Sequence, residues 1–140
     1  MDSDVPSSVA PEVRASLLQF QRNFAQNPPG GVRGAVLDGR DIGTVVCPGA
    51  LAKLFVTASE AARASRRHKE LQGRGVESIY ARVLKDMVER DARDRDRRAA
   101  PMVPAADALV IDTTTLDPDQ TFARAIAFIR DKAAALSLRL

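Results

Sequence analysis

A chain of 140 residues, 45% hydrophobic and with a net charge of +3, is large enough to bury one ordinary core and too apolar to stay a disordered polymer. The charge is too small to announce a nucleic-acid binder, no run approaches the roughly 18 apolar residues of a membrane span, and the opening residues lack the basic and apolar regions of a secretory signal, so the expected compartment is the cytoplasm. The single Cys47 excludes an internal disulfide and reads as structural, while the lone His68 lies among Arg66, Arg67 and Lys69 and is expected to face solvent, which leaves no metal-ligand set.

Residues 1–10 are polar and read as a linker. A helix is expected after Pro11, with Arg14 in its first turn and Val13, Leu17, Leu18, Phe20 and Phe24 as its apolar stripe; the Pro-Pro-Gly-Gly run at 28–31 ends it. Residues 35–37 read as a short buried strand delivered into a turn by Asp38-Gly39. In open α/β sheets ligands bind beyond the carboxyl ends of strands, so Asp38, Arg40 and Asp41 would stand where a phosphate or a metal-bound water is handled. A surface turn with an Asp–Arg pair is the other reading of the same residues. A second strand is expected over residues 52–57. Ser59 then caps a helix that has Glu60 in its first turn, carries Arg63, Arg66 and Arg67, and runs to about Leu71. Gly73-Arg74-Gly75 breaks that helix, and a longer one runs from about Glu77 past Arg95 with Ile79, Val83, Leu84 and Val88 inward. A third strand is expected at 108–112, followed by a final helix from about Pro118 to Ala135 with Phe122, Ile126 and Ile129 on its apolar side. Short hydrophobic strands alternating with helices predict an α/β fold, a parallel sheet covered on both faces.

Arginine outnumbers lysine 17 to 4, a skew that suits bidentate recognition of phosphate as well as it suits a biased genome. The densest charge is residues 89–98, ERDARDRDRR, where only Ala92 is uncharged. At helical spacing Arg90, Asp94 and Arg97 fall on one side, and Asp91 and Arg95 can pair along the next ridge. A carboxylate between two guanidinium groups suits a sugar hydroxyl plus a phosphate, because Asp only accepts and Arg only donates. A salt-bridged solvated helix accounts for the same residues. A helix lying in a nucleic-acid groove accounts for them less well, since its aspartates would repel the backbone.

Taken together, DGRDIGTVV, KLFVTAS, RRHKELQGRG, ERDARDRDRRAAP and VPAADALVIDTTTL, in that order, closely resemble bacterial cytidylate kinases, which move the γ-phosphoryl group of ATP onto CMP or dCMP. The resemblance implies a three-layer parallel sheet of the P-loop nucleoside monophosphate kinase type, with residues 11–140 as the C-terminal part of the core and a lid around 63–76. It implies that Arg14 and Asp41 read the cytosine ring, that Arg40 and Arg97 grip the CMP phosphate, and that Arg90 and Asp94 hold the pentose. Arg63, Arg66 and Arg67 would meet the ATP phosphates, and Asp38 would sit near metal-bound waters. ATP, Mg²⁺ and CMP or dCMP are the implied ligands, with no membrane and no nucleic acid as partners.

The same resemblance marks a departure. The family's strand and P-loop of the form G-x-x-G-x-G-K-[ST] have no counterpart, and no Gly-Lys pair occurs in the 140 residues. The sheet is therefore expected to be incomplete, with the P-loop strand missing between the strands around Val36 and Phe55, and the chain inactive by itself. A misassigned start, a split gene whose upstream P-loop segment would be a partner, and a degenerate remnant all fit. A noncatalytic CMP-binding module and an RNA-binding or interaction fragment using helix 89–98 are the alternative functions.

Overall fold

The computed structural model describes residues 10–96 and 102–137. These form a mixed α/β chain with a two-stranded parallel sheet, which divides into two compact units, Met1–Ala50 and Leu51–Leu140.

In the first unit, Pro11 opens helix α1 (Pro11–Gln26), its missing N–H costing nothing at a position where no intrahelical partner exists. The stripe of Val13, Leu17, Phe20 and Phe24 shares one face of α1 and is exposed. Pro29–Gly31 follow as a 3-10 turn in which Gly30 and Gly31 hold positive φ (81° and 67°), conformations open to glycine at no steric cost. The strand expected at 35–37 does not form. Residues 34–38 are irregular, and Val36 is 97% exposed. An apolar run becomes a strand only where another strand offers a ladder for its N–H and C=O groups, and no described strand pairs with these residues.

Residues Ile42–Val46 close instead into a π-helical turn, with Val46 N–H bonded to Asp41 O at 3.2 Å and Cys47 N–H to Ile42 O at 2.7 Å. Arg22 of α1 holds its end: Nη2 donates to Val45 O at 2.9 Å and Nε to Val46 O at 3.1 Å, satisfying carbonyls that a helix terminus leaves without partners.

In the second unit, β1 (Leu54–Thr57) and β2 (Leu109–Asp112) pair in parallel with Leu54 opposite Leu109 and Thr57 opposite Asp112. Between them run α2 (Glu60–Gly73) and α3 (Tyr80–Arg95), which pack on one another, and α4 (Pro118–Ala135) packs on β2. Ser59 caps α2 as expected, its Oγ accepting from Ala62 N–H at 3.1 Å. The helix ends where Gly75 turns to φ 71°, letting Gly75 N–H reach Gln72 O and Val76 N–H reach Leu71 O, both at 3.0 Å. Helix α3 starts at Tyr80, later than expected, because β-branched Ile79 stays extended (φ −112°, ψ 117°) and exposed. Val83, Leu84 and Val88 are half-buried, whereas Phe122 of α4 faces outward. A reciprocal cap fixes the start of α4: Asp117 Oδ1 accepts from Gln120 N–H at 2.7 Å, and Gln120 Oε1 accepts from Asp117 N–H at 3.0 Å.

His68 does not face solvent as expected. It is half-buried, its Nδ1 lies 2.8 Å from Ser78 Oγ, and its ring meets Tyr80 edge-on, so it ties α2 to the segment that leads into α3. Ala58, Ala64, Ile111 and Ala133 are the buried apolar residues of this unit among those described. No described helix is long and apolar enough to cross a membrane.

Candidate functional site at the carboxyl end of the strands

Strand β2 ends in a threonine-rich turn over residues 113–115, which fastens the sheet to α2. Buried Thr113 donates its N–H to Thr57 O at 2.7 Å and its hydroxyl to the same oxygen at 3.0 Å. Arg66 of α2 donates Nη1 to Thr113 Oγ1 at 2.9 Å and Nη2 to Thr113 O at 2.5 Å. One residue on, Asp112 Oδ1 accepts from the Thr114 hydroxyl at 2.6 Å and from Thr114 N–H at 2.9 Å, and these bonds hold its carboxyl below the usual carboxylate range. Ser59 N–H donates to Thr114 Oγ1 at 2.9 Å, so the cap of α2 and the end of β2 share one hydroxyl.

Arg63 is fixed more firmly than the sequence suggested. Nη1 donates to Asp91 Oδ1 at 3.0 Å, Nη2 pairs with Asp91 Oδ2, and Nε donates to Ala58 O at 3.1 Å. The hydrogen bond from Arg63 to Asp91 is the largest cause of an Arg63 pKa raised above its ordinary value, with burial working against it. Asp91 was expected to pair with Arg95 one turn along α3; the neighbouring helix takes it instead, because a planar fork satisfies both carboxylate oxygens at once. Arg67 pairs with Glu70 at 3.0 Å, and so does Arg74, at 2.8 Å. Beside these groups lies an open pocket of about 240 Å³, walled by Phe55, Val56 and Thr57 of β1, Arg63 of α2, and Asp91 and Arg95 of α3.

The other residues singled out from the sequence fall in two places. Arg14, Asp38, Arg40 and Asp41 belong to the first unit, with Arg14 half-buried in the first turn of α1, Asp38 exposed, and Arg40 and Asp41 half-buried at the start of the π-helical turn. Arg90 and Asp94 are one turn apart on α3, Arg90 exposed and Asp94 only 6% exposed. Arg97 lies outside the described residues. Among the described residues no three His, Cys, Asp or Glu side chains converge to hold a metal ion.

The family model for cytidylate kinase matches residues 3–131 of this chain. The chain belongs to the cytidylate kinase family. That family comprises nucleoside monophosphate kinases, which generally use ATP and Mg²⁺. Among its relatives, the cytidylate kinase of Paramagnetospirillum magneticum is 64% identical over 122 residues, covering 87% of this chain and 57% of that protein. The cytidylate kinase of Methylocella silvestris is 56% identical over 119 residues (85% of this chain, 53% of the relative), and that of Rhodospirillum rubrum 54% over 123 residues (88% and 58%). The chain thus spans little more than half the length of the curated relatives it matches.

Three residues that organise the described structure escaped the sequence reading. Thr113 follows the strand expected at 108–112 without an expected role, helical spacing directs Asp91 to Arg95, and Arg22 lies in the helix after Pro11 without an expected role. A Thr directly after an apolar strand, where its hydroxyl reaches a neighbouring carbonyl, was the available signal for the first. The other two act over 28 and 23 to 24 positions of sequence, beyond any local pattern.

Proposed function

We propose that the chain is the C-terminal part of a (d)CMP kinase, acting in the cytoplasm on CMP or dCMP with ATP as phosphoryl donor. The family match over residues 3–131 carries this reading. Arg14 and Asp41 would read the cytosine ring, Arg40 and Arg97 the monophosphate, and Arg90 and Asp94 the pentose. Arg63, Arg66 and Arg67 would belong to a lid over residues 63–76 that meets the ATP phosphates, and Asp38 would stand near the reacting phosphates. The two-stranded sheet is compatible with the larger three-layer parallel sheet of P-loop kinases, in which further strands would flank it. Phosphoryl transfer of this kind needs positioning and cationic stabilisation, with no covalent enzyme intermediate.

Because the 140 residues hold no P-loop, they lack the Lys and the amide cradle that such transfer relies on. The expected result is CMP binding without turnover. Calorimetric titration of the purified chain with CMP, and with a single-stranded RNA of the same ionic strength, tests the binding. Arg40→Ala should weaken CMP about tenfold or more, the loss of one charge-assisted contact. A coupled assay for ADP release tests the absence of turnover. RNA binding without CMP binding would replace the kinase reading by an interaction fragment using α3, and CMP-dependent turnover near the roughly 1–100 s⁻¹ of kinases would show that the missing P-loop is not needed.

A further inference from the structure

We propose that Arg95 is an anion-binding residue, set free by the Arg63–Asp91 pair to receive the polyphosphate of a nucleotide in the pocket beside β1. On α3, Asp91 and Arg95 stand four residues apart, the spacing at which opposite charges pair. Asp91 is unavailable for that pairing, since both its oxygens accept from Arg63. Arg95 is exposed and lines the 240 Å³ pocket together with Arg63, and the structure gives its guanidinium no partner among the described residues.

Arg63 uses three of its five N–H groups on Asp91 and Ala58, which leaves two for a ligand on the same pocket wall. Two guanidinium groups on one pocket suit a chain of phosphate oxygens, because each can donate in a planar fork and neither can lose its charge. The carboxylate of Glu60, exposed in the first turn of α2 and also on the pocket wall, opposes an anion. It therefore provides a test in the other direction.

The site depends on an exchange of partners. With Arg63 removed, Asp91 is released to pair with Arg95, so one substitution withdraws two cations from the pocket. A guanidinium near the end of α3 would also complement the helix carbonyls, a structural role that affects stability and not ligand binding. The inference rests on the kinase reading only for the identity of the ligand as a nucleotide.

The experiment is titration of the 140-residue chain with inorganic tripolyphosphate and with ATP, each against Arg95→Ala, Arg63→Ala, Glu60→Gln and the double variant Arg63→Ala with Asp91→Asn, with thermal midpoints measured alongside. Arg95→Ala should weaken tripolyphosphate binding about tenfold, and Arg63→Ala at least as much. The double variant should recover affinity relative to Arg63→Ala, and Glu60→Gln should tighten binding. Arg95→Ala binding as the parent chain does, or the double variant binding no better than Arg63→Ala, overturns the proposal, as does a parent chain that binds no tripolyphosphate. Binding of tripolyphosphate through Arg95 without any binding of CMP keeps this site and removes the kinase reading; CMP binding with Arg95→Ala unchanged does the reverse.

Discussion

The two ends of the β1–β2 pair are closed in opposite ways. At the amino end the Lys53 ammonium, its side chain 7% exposed, meets the 57% exposed carboxylate of Asp107 at 2.8 Å, and the Lys53 carbonyl accepts from Leu109 N–H at 2.9 Å. At the carboxyl end Thr113 joins β1, β2 and α2 with short neutral bonds and one guanidinium, and Thr114 joins β2 to the cap of α2. A long ammonium stem reaching an exposed carboxylate tolerates shifts of position. A buried hydroxyl that must donate to one oxygen and accept from one nitrogen does not. The demanding construction stands at the end of the sheet where α/β proteins place their ligands.

The contrast breaks most clearly at Thr113. Thr113→Val keeps the shape and removes the hydroxyl, so Thr57 O loses a donor and Arg66 an acceptor. Unfolding in urea should show a loss of about 1–3 kcal/mol, with most of it regained in Thr113→Ser. A Val variant as stable as the parent would mean that the threonine turn follows the sheet without holding it.

Lys53→Met is expected to do less at neutral pH, since an apolar chain of similar length fills the same buried place and the exposed Asp107 is left to water. Its effect should appear in acid. The hydrogen bond from Lys53 is the main reason why Asp107 is held below the usual carboxylate range. Its folded value is thus lower than its unfolded value. The stabilisation is fully present above the unfolded pKa of about 3.9 and is lost as pH falls through the lower folded value. Lys53→Met should flatten that part of the acid limb, while the contribution of Asp112, set by Thr114 at the other end, stays. Superimposable acid limbs for Lys53→Met and the parent chain would contradict the assignment.

The parts of this fold that local chemistry decides could be read directly. Ser59 at the start of α2, Gly75 at its end and Pro118 at the start of α4 each act through bonds within a few residues, and the strands over 54–57 and 109–112 carry unbroken apolar runs. Residues 35–37 show the limit. Their pattern is as strand-like as that of β1, yet a strand needs a neighbour, and nothing within the run says whether one is present. The site divides along the same line. The one-sided spacing of Arg90 and Asp94 was visible in the sequence because it lies within one helix. The partner of Asp91 was not, because choosing between Arg95 four residues away and Arg63 on another helix is a matter of tertiary geometry.

The register of the sheet also sets an order of events in time. Every residue of β1 faces a partner 55 positions further along the chain, and α2 and α3 lie wholly inside that interval, joined to each other by residues 74–79 alone. Closing a short link costs far less chain entropy than closing a long one, and contacts distant in sequence are slow to form. The α2–α3 hairpin, with Arg63 already on Asp91, is then the early structure of this unit. β2 is the last piece to arrive, so pulse-labelled amides of 64–73 and 84–95 should gain protection before those of 109–112, and the reverse order would mean that the sheet itself nucleates.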